Sequence, residues 1–257
     1  MAEIDSRSVI HPDANIADDV VIGPFCTVGP EVTLGQGTVL KSHVNIDGFT
    51  TIGAQCTIWP FCSIGTQTQD LKFTGGKPGV KIGSGTTLRE YVTVNAATFD
   101  GDFTVVGDRC HIMAYCHVAH DCILGDEVIM ANAATLAGHV IVEDQAIIGG
   151  LCGVHQFVTI GKLAITGGCS KVVQDIPPYM TADGNPLRVR GLNKIGLERH
   201  GVPKENIRTL LEGYRLLYRK KLGAKEMATI SRETLPRSPE IEHLETFVEN
   251  SQRGITR

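Results

Sequence analysis

A chain of 257 residues that is 42% hydrophobic and carries a net charge of only −4 is globular, long enough for one large repeat domain or two ordinary ones with a sizeable core. Its opening residues, MAEIDSRSV, lack the basic-then-apolar pattern of a secretory signal, so export by that route is not expected. The longest nearly apolar run, VIMANAATLAGHVIV at 128–142, is too short and too interrupted by Asn132, Thr135 and His139 to span a bilayer, so no transmembrane segment and a cytoplasmic location are expected.

From Ile4 onward a step of six governs the chain. Ile10, Ile16, Ile22, Val28, Leu34 and their successors run to Val172, and 25 of 29 positions are aliphatic or Met. The misses are Asp70, Gly76, Asp100 and Thr166, the first three lying in loop-like stretches at 67–79 and 95–103. A helix needs a period of 3.6 and an ordinary strand a period of two, so this is a hexapeptide solenoid pattern. Three hexads make a triangular coil of eighteen residues. Nine or ten coils stacked at strand spacing give a prism on the order of 45 Å long. The expected class is mainly β, a domain at 1–185 followed by a connector and a helical domain at 186–257.

The same ruler places Cys26, Cys56, Cys62, Cys110, Cys116, Cys122 and Cys152 in the small-residue slot two places before the aliphatic, with only Cys169 off register. A thiol there is a small hydrophobe rather than a metal ligand or disulfide partner, in keeping with a reducing compartment.

Against this scaffold the stretch HVAHD at 117–121 stands out. Residues eighteen apart share a column, so His120 leads to Gly138 and Gln156, and Asp121 leads to His139, with His155 and His117 nearby. Each imidazole alone reads more readily as an exposed corner residue satisfied by water. Together they suit a general base: Asp121 accepts from one ring nitrogen of a neighbouring His and leaves the other free. No Ser or Cys nucleophile lies in register beside this pair, so direct activation of a substrate hydroxyl is more economical than a covalent enzyme intermediate. Gly138 would leave a backbone N–H open to a developing oxyanion. Three nearby histidines could also hold zinc. The adjoining Asp and Gln, with Asp70 and Lys72 in the first loop, suit a sugar better, so neither metal nor cofactor is expected.

The solenoid is expected to end at QDIPPY, 174–179, where paired prolines cannot continue a ladder. An irregular connector at 180–193 follows. Helical spacing then predicts a helix over 203–221, one over 238–254 with Ser238 as N-cap, and a short one around 224–232. Residues 185–225 hold eleven Lys/Arg against three Glu, a balance of +8, so the other 216 residues carry −12. Such a segment fits an anionic ligand or an acidic protein partner, or simply a solvated helix face. No nucleic acid is expected.

The motifs QDLK (69–72), HVAHDC (117–122), NAATLAGHV (132–140), IIGGLCGVHQF (147–157), GGCS (167–170) and QDIPPY (174–179) together resemble the family of acyl-carrier-protein–UDP-N-acetylglucosamine O-acyltransferases of lipid A biosynthesis. The resemblance covers essentially the whole chain. It implies a left-handed parallel β-helix and a homotrimer with sites between adjacent solenoids. It also implies transfer of a 3-hydroxyacyl group from acyl carrier protein to the glucosamine 3-hydroxyl of a UDP-sugar. By motif, His120 is implied as general base, Asp121 as its orienting partner and Gly138 as oxyanion donor. Asp70, Lys72, His139 and Gln156 are implied to contact sugar and phosphates, with His117 and His155 close by and Asn193 and Arg199 reaching the nucleotide. Gly168, with Ile165 near it, would lie at the end of an acyl channel. Arg215, Arg219, Lys220 and Lys221 are, on charge alone, docking residues for the acidic carrier protein. The chain departs from the best-known members at Asn95, where they have His, at Ile195, where they have Glu, and at His200, where they have Arg. These departures leave open an N-acyltransferase acting on a 3-amino sugar, and a non-catalytic trimeric scaffold is the reading from another class.

Overall fold

The computed structural model describes all 257 residues. The hexads form short strands, most of two residues, that cycle through three sheets of eleven, nine and eight strands. Every third strand therefore lies on the same face. His117–Val118 pairs in parallel with Thr135–Leu136, and that strand with Gly153–Val154, each step being eighteen residues. In each pair the first residue faces outward and the second inward. Ile58, Ile112, Leu124, Leu136 and Ile148 fill the interior and are 0–1% exposed. The first coil is the exception: Ile4 is 42% exposed because no coil lies beneath it.

Corner after corner is turned by a residue in the left-handed region, including Tyr115 (φ 64°), Asp121 (60°), His139 (59°) and Phe157 (64°). Each such residue costs about 1–2 kcal/mol. The ladder offsets that cost because the two strands either side of a corner are bonded to coils above and below. The seven in-register cysteines are buried, and the Cys62 thiol donates to Arg89 O at 2.9 Å. Burial pushes the thiols of Cys62 and Cys122 up to about 12. Cys169 is exposed.

The two long loops keep the register because they add whole hexads. Ile52 pairs with Ile82, thirty residues on, and Val94 with Val118, twenty-four on. Subtracting the eighteen of a plain coil leaves twelve and six. Each excursion leaves the prism at the corner between its second and third faces.

The end of the solenoid differs from expectation. Ile176 still bridges Ile160, and Met180–Asp183 adds to the first face with Ile165 opposite Thr181. The prolines do not stop the ladder: Pro178 stands in a turn beside Tyr179 (φ 69°), whose N–H donates to Lys162 O, and Pro177 lies just before it, past the last strand of the third face, so neither missing N–H breaks a strand pairing. Residues 180–193 are accordingly not irregular. Met180–Asp183 and Arg188–Leu192 form an antiparallel hairpin, and position 185/186 falls in its turn. Four helices follow: α1 Lys194–Arg199, α2 Lys204–Tyr214, α3 Ala224–Thr234 and α4 Pro239–Asn250. The helix expected over 203–221 is thus α2 continued by a wider π turn, Arg215–Arg219. Ser238 caps α4 by accepting from the Ile241 N–H, with Pro239 in the first turn. No helix is long and apolar enough to cross a membrane.

Leu136→Ala removes an inward side chain that is 0% exposed, and is expected to cost about 2–5 kcal/mol in urea unfolding. Ile4→Ala at the open end is expected to cost less than about 1 kcal/mol. Equal costs would mean that the core does not weaken toward the first coil.

Candidate active site

The corner between the second and third faces gathers the polar residues. His120 ends the second-face segment that begins at His117, and Asp121 turns the corner. His120 Nδ1 lies 2.7 Å from Asp121 Oδ2. An ionised carboxylate only accepts, so Nδ1 carries the proton and Nε2, which has no partner in the protein, presents its lone pair. Burial works against ionisation of Asp121. Hydrogen bonds from His120, the Thr98 hydroxyl and the Thr98 N–H, with the nearby His139, more than offset that and hold the carboxyl below its ordinary range. The side chains of His120 and Asp121 are 14% and 9% exposed, so the pair is shielded yet reachable.

Gly138 sits one coil on, directly against the imidazole. A Cβ built there would lie 2.3 Å from His120 Cε1 and 2.5 Å from Nε2. The residue is glycine because the ring occupies the space of a side chain, and its N–H donates to nothing in the protein. His139 packs edge-on to His120, with centroids 5.3 Å apart, and its Nε2 is 3.6 Å from Asp121 Oδ2. Its other neighbour is Phe157, stacked at 4.7 Å. His117 accompanies the pair on the second face, its Nδ1 2.7 Å from Thr93 Oγ1. Burial first, and then the nearness of a second imidazole at His120, disfavour its protonation and lower its pKa.

Asp70 approaches from the first long loop. With His120 and His139 it offers three possible ligand atoms within 4.8 Å of one another, so the donors expected to serve as base and sugar contacts are also those a divalent cation could use. Asp70 and Lys72 do not form an ion pair. The Lys72 N–H donates to Asp70 Oδ1 at 2.9 Å, and the exposed ammonium is left uncommitted.

The remaining expected residues make no side-chain hydrogen bond to this cluster. His155 and Gln156 are exposed one coil further on, and the only side-chain bond of His155 is to Gln156 O. Asn193 caps α1 through Oδ1 and anchors it to the solenoid through Nδ2 and Leu163 O. Arg199 is exposed in the last turn of α1. Half-buried Ile165 and exposed Gly168 belong to the first face and to the corner between the first and second faces, a different edge of the prism from His120. Arg219, Lys220 and Lys221 are exposed without ion partners, whereas Arg215 pairs with Glu212. Beside the patch, a groove of about 530 Å³ runs from His139 and Phe157 to His243, Phe247 and Asn250 on α4.

Two residues escape the sequence reading. Phe157 was within reach, since it is eighteen residues beyond His139. Thr98, 1% exposed, was not: residues inside the second loop fall outside the column arithmetic, and nothing in NAATFDG marks its one threonine as part of the site. In a crystal structure of Gly138→Ala, the His120 Nδ1 to Asp121 Oδ2 distance of 2.7 Å is expected to lengthen past hydrogen-bond range as the ring is pushed aside. An unmoved ring would show that the glycine is not required by His120.

Residues 175–256 match the family described as UDP N-acetylglucosamine O-acyltransferase, domain 2, and residues 103–138 match the bacterial transferase hexapeptide repeats. An acyl-[acyl-carrier-protein]–UDP-N-acetylglucosamine O-acyltransferase from Thermodesulfovibrio yellowstonii is 51% identical, with all of both chains covered. Among solved structures, LpxA from Acinetobacter baumannii superimposes with a TM-score of 0.96 at 40% identity, over 99% of each chain. UDP-N-acetylglucosamine O-acyltransferase (LpxA) from Moraxella catarrhalis superimposes with a TM-score of 0.95 at 39% identity, again over 99% of each. The solenoid is thus the left-handed parallel β-helix of these enzymes, and the chain belongs to the acyl-[acyl-carrier-protein]–UDP-N-acetylglucosamine O-acyltransferase family.

Proposed function

We propose that this protein transfers a 3-hydroxyacyl chain from acyl carrier protein to the glucosamine 3-hydroxyl of UDP-N-acetylglucosamine, the first step of lipid A biosynthesis, with His120 as general base. The carrying observation is the His120–Asp121 pair with a free Nε2, set against the uncommitted N–H of Gly138. Nε2 takes the hydroxyl proton as the sugar oxygen attacks the thioester carbonyl. Asp121 fixes the tautomer and stabilises the imidazolium that forms. The Gly138 N–H meets the oxyanion. Collapse of the tetrahedral intermediate breaks the carbon–sulfur bond, and the imidazolium returns its proton to the departing thiolate.

Transfer is direct because the site has no competent nucleophile. Cys122 adjoins Asp121 but is buried, with its thiol pushed up to about 12, far from the thiolate needed for attack. Asp70, Lys72 and His139 hold the sugar and phosphates in this reading, with His117, His155 and Gln156 nearby; the closeness of Asp70 and His139 to His120 supports it. Asn193 and Arg199 serve the nucleotide, Asn193 through the second Nδ2–H, which neither the α1 cap nor Leu163 O takes up. Ile165 and Gly168, being on another edge, line the acyl channel only if a neighbouring copy supplies them, which supports a homotrimer with sites between copies. Acyl carrier protein docks on the exposed Arg219, Lys220 and Lys221, and its use as donor places the reaction in the cytoplasm. The residues at hand serve general-base transfer without a cofactor.

A second reading, N-acylation of a 3-amino sugar, is favoured by Asn95. It stands where the best-known members carry His, is 5% exposed, and leaves its Oδ1 without a partner.

With purified protein, acyl-carrier-protein thioesters and both acceptors, mass spectrometry is expected to find the ester on the 3-hydroxyl. His120→Ala is expected to lower kcat by about 10²–10⁴-fold. Product from the amine alone would decide for the second reading, and near-full activity of His120→Ala would falsify the role of the base.

A further inference from the structure

The carboxylate that orients His120 is itself held by a chain of donors beginning in the first long loop. The Asp70 N–H donates to Thr68 Oγ1 at 3.1 Å. Thr68 Oγ1 is 3.2 Å from Thr98 Oγ1, and Thr98 Oγ1 donates to Asp121 Oδ2 at 2.8 Å. The Thr98 N–H reaches the other carboxylate oxygen at 3.1 Å. Thr98 and Thr68 are 1% and 6% exposed, so water does not compete for either hydroxyl.

The two ends of the chain fix the direction of every proton in it. A backbone N–H only donates and a carboxylate only accepts. The proton of Thr98 therefore points at Asp121, and its oxygen accepts from Thr68, whose oxygen in turn accepts from Asp70. The His120 Nδ1–H completes the set at the same Oδ2, 2.7 Å away, with Thr98 Oγ1 3.1 Å from that nitrogen. With the Thr98 donors in place, Asp121 cannot rotate away from His120 without leaving two of them unpaired in a buried site.

From this geometry we infer that Thr98 is a positioning residue for the His120–Asp121 pair, and that the Thr68–Thr98 hydroxyl relay ties the loop carrying Asp70 and Lys72 to the orientation of the base. The inference rests on the reading of His120 as general base. Thr98 touches no substrate in this scheme and acts through Asp121. Thr68 stands between the two functions: it holds the Asp70 backbone on one side and orients Thr98 on the other. Occupancy of the loop by a sugar is thereby sensed at the carboxylate through hydrogen bonds alone.

The test is steady-state kinetics of four variants of the full-length protein, each checked for an unchanged melting temperature. Thr98→Val keeps the shape and removes the hydroxyl. It is expected to lower kcat by about 10- to 100-fold, the effect of a misplaced catalytic group, with the KM for the UDP-sugar within about twofold of the parent. Thr98→Ser restores the donor and is expected within about threefold of the parent. Thr68→Val is expected to raise KM as well as lower kcat. The double variant Thr68→Val/Thr98→Val is expected to have no lower kcat than Thr98→Val alone, because the two hydroxyls act in series. Parent-like kcat in Thr98→Val, equal loss in the Ser and Val variants, or additive losses in the double variant would each overturn the relay. His120→Ala run alongside separates the two ideas: if it is inactive while Thr98→Val is parent-like, the relay fails and the base stands, and if it is active, the base itself fails.

Discussion

Everything in this protein depends on the in-register parallel ladder. A coil of eighteen residues brings each side chain over the one eighteen before it, at the spacing of adjacent strands. The inward aliphatics then stack into one continuous core, and the outward residues form columns whose members meet. The two excursions respect this constraint by adding twelve and six residues, so coils above and below them remain aligned. Without that alignment, His120 would not lie against Gly138, nor His139 against Phe157.

Chemistry is concentrated where the ladder is locally strained. Strand residues have their backbone groups committed to neighbouring coils, and at the corners His139 and Phe157 still donate to the coil before, whereas the Gly138 N–H does not. Asp121 and His139 both turn corners with positive φ, which Asp and His tolerate better than most residues. The strain is supported by the coils on either side and leaves side chains and an N–H directed at neither the core nor the ladder. Both long loops leave the prism at this same edge, and so Thr98 reaches the Asp121 carboxylate and Asp70 comes beside His120 and His139, all far from them in sequence.

The helical tail shapes the approach to the site. Asp175 accepts from the Thr159 N–H and the Ser251 hydroxyl, joining the third face to the end of α4. His243 on α4 lies between the Tyr179 hydroxyl, 2.9 Å from Nδ1, and Glu143, 3.0 Å from Nε2. Those contacts hold α4 beside the third face and create the groove that begins at His139 and Phe157. The solenoid and the cluster of His120, Asp121, Gly138 and His139 were legible in the sequence because a strict period converts position into geometry. The hairpin at 180–192 was not, because the paired prolines read as a stop when they occupy a turn. Thr98 was not, because loops escape the period. The distances of Asn193, Arg199 and Gly168 from the patch were equally hidden, since a column rule says which residues share an edge and nothing about how a tail folds back or how copies meet.

The most direct measurement is a crystal structure of the protein with its UDP-sugar acceptor bound. The account requires the acceptor's 3-position heteroatom within about 3.2 Å of His120 Nε2, with Asp121 still on Nδ1. A sugar held in the cleft with Nε2 facing bulk water, and another side chain at the acceptor atom, would contradict it.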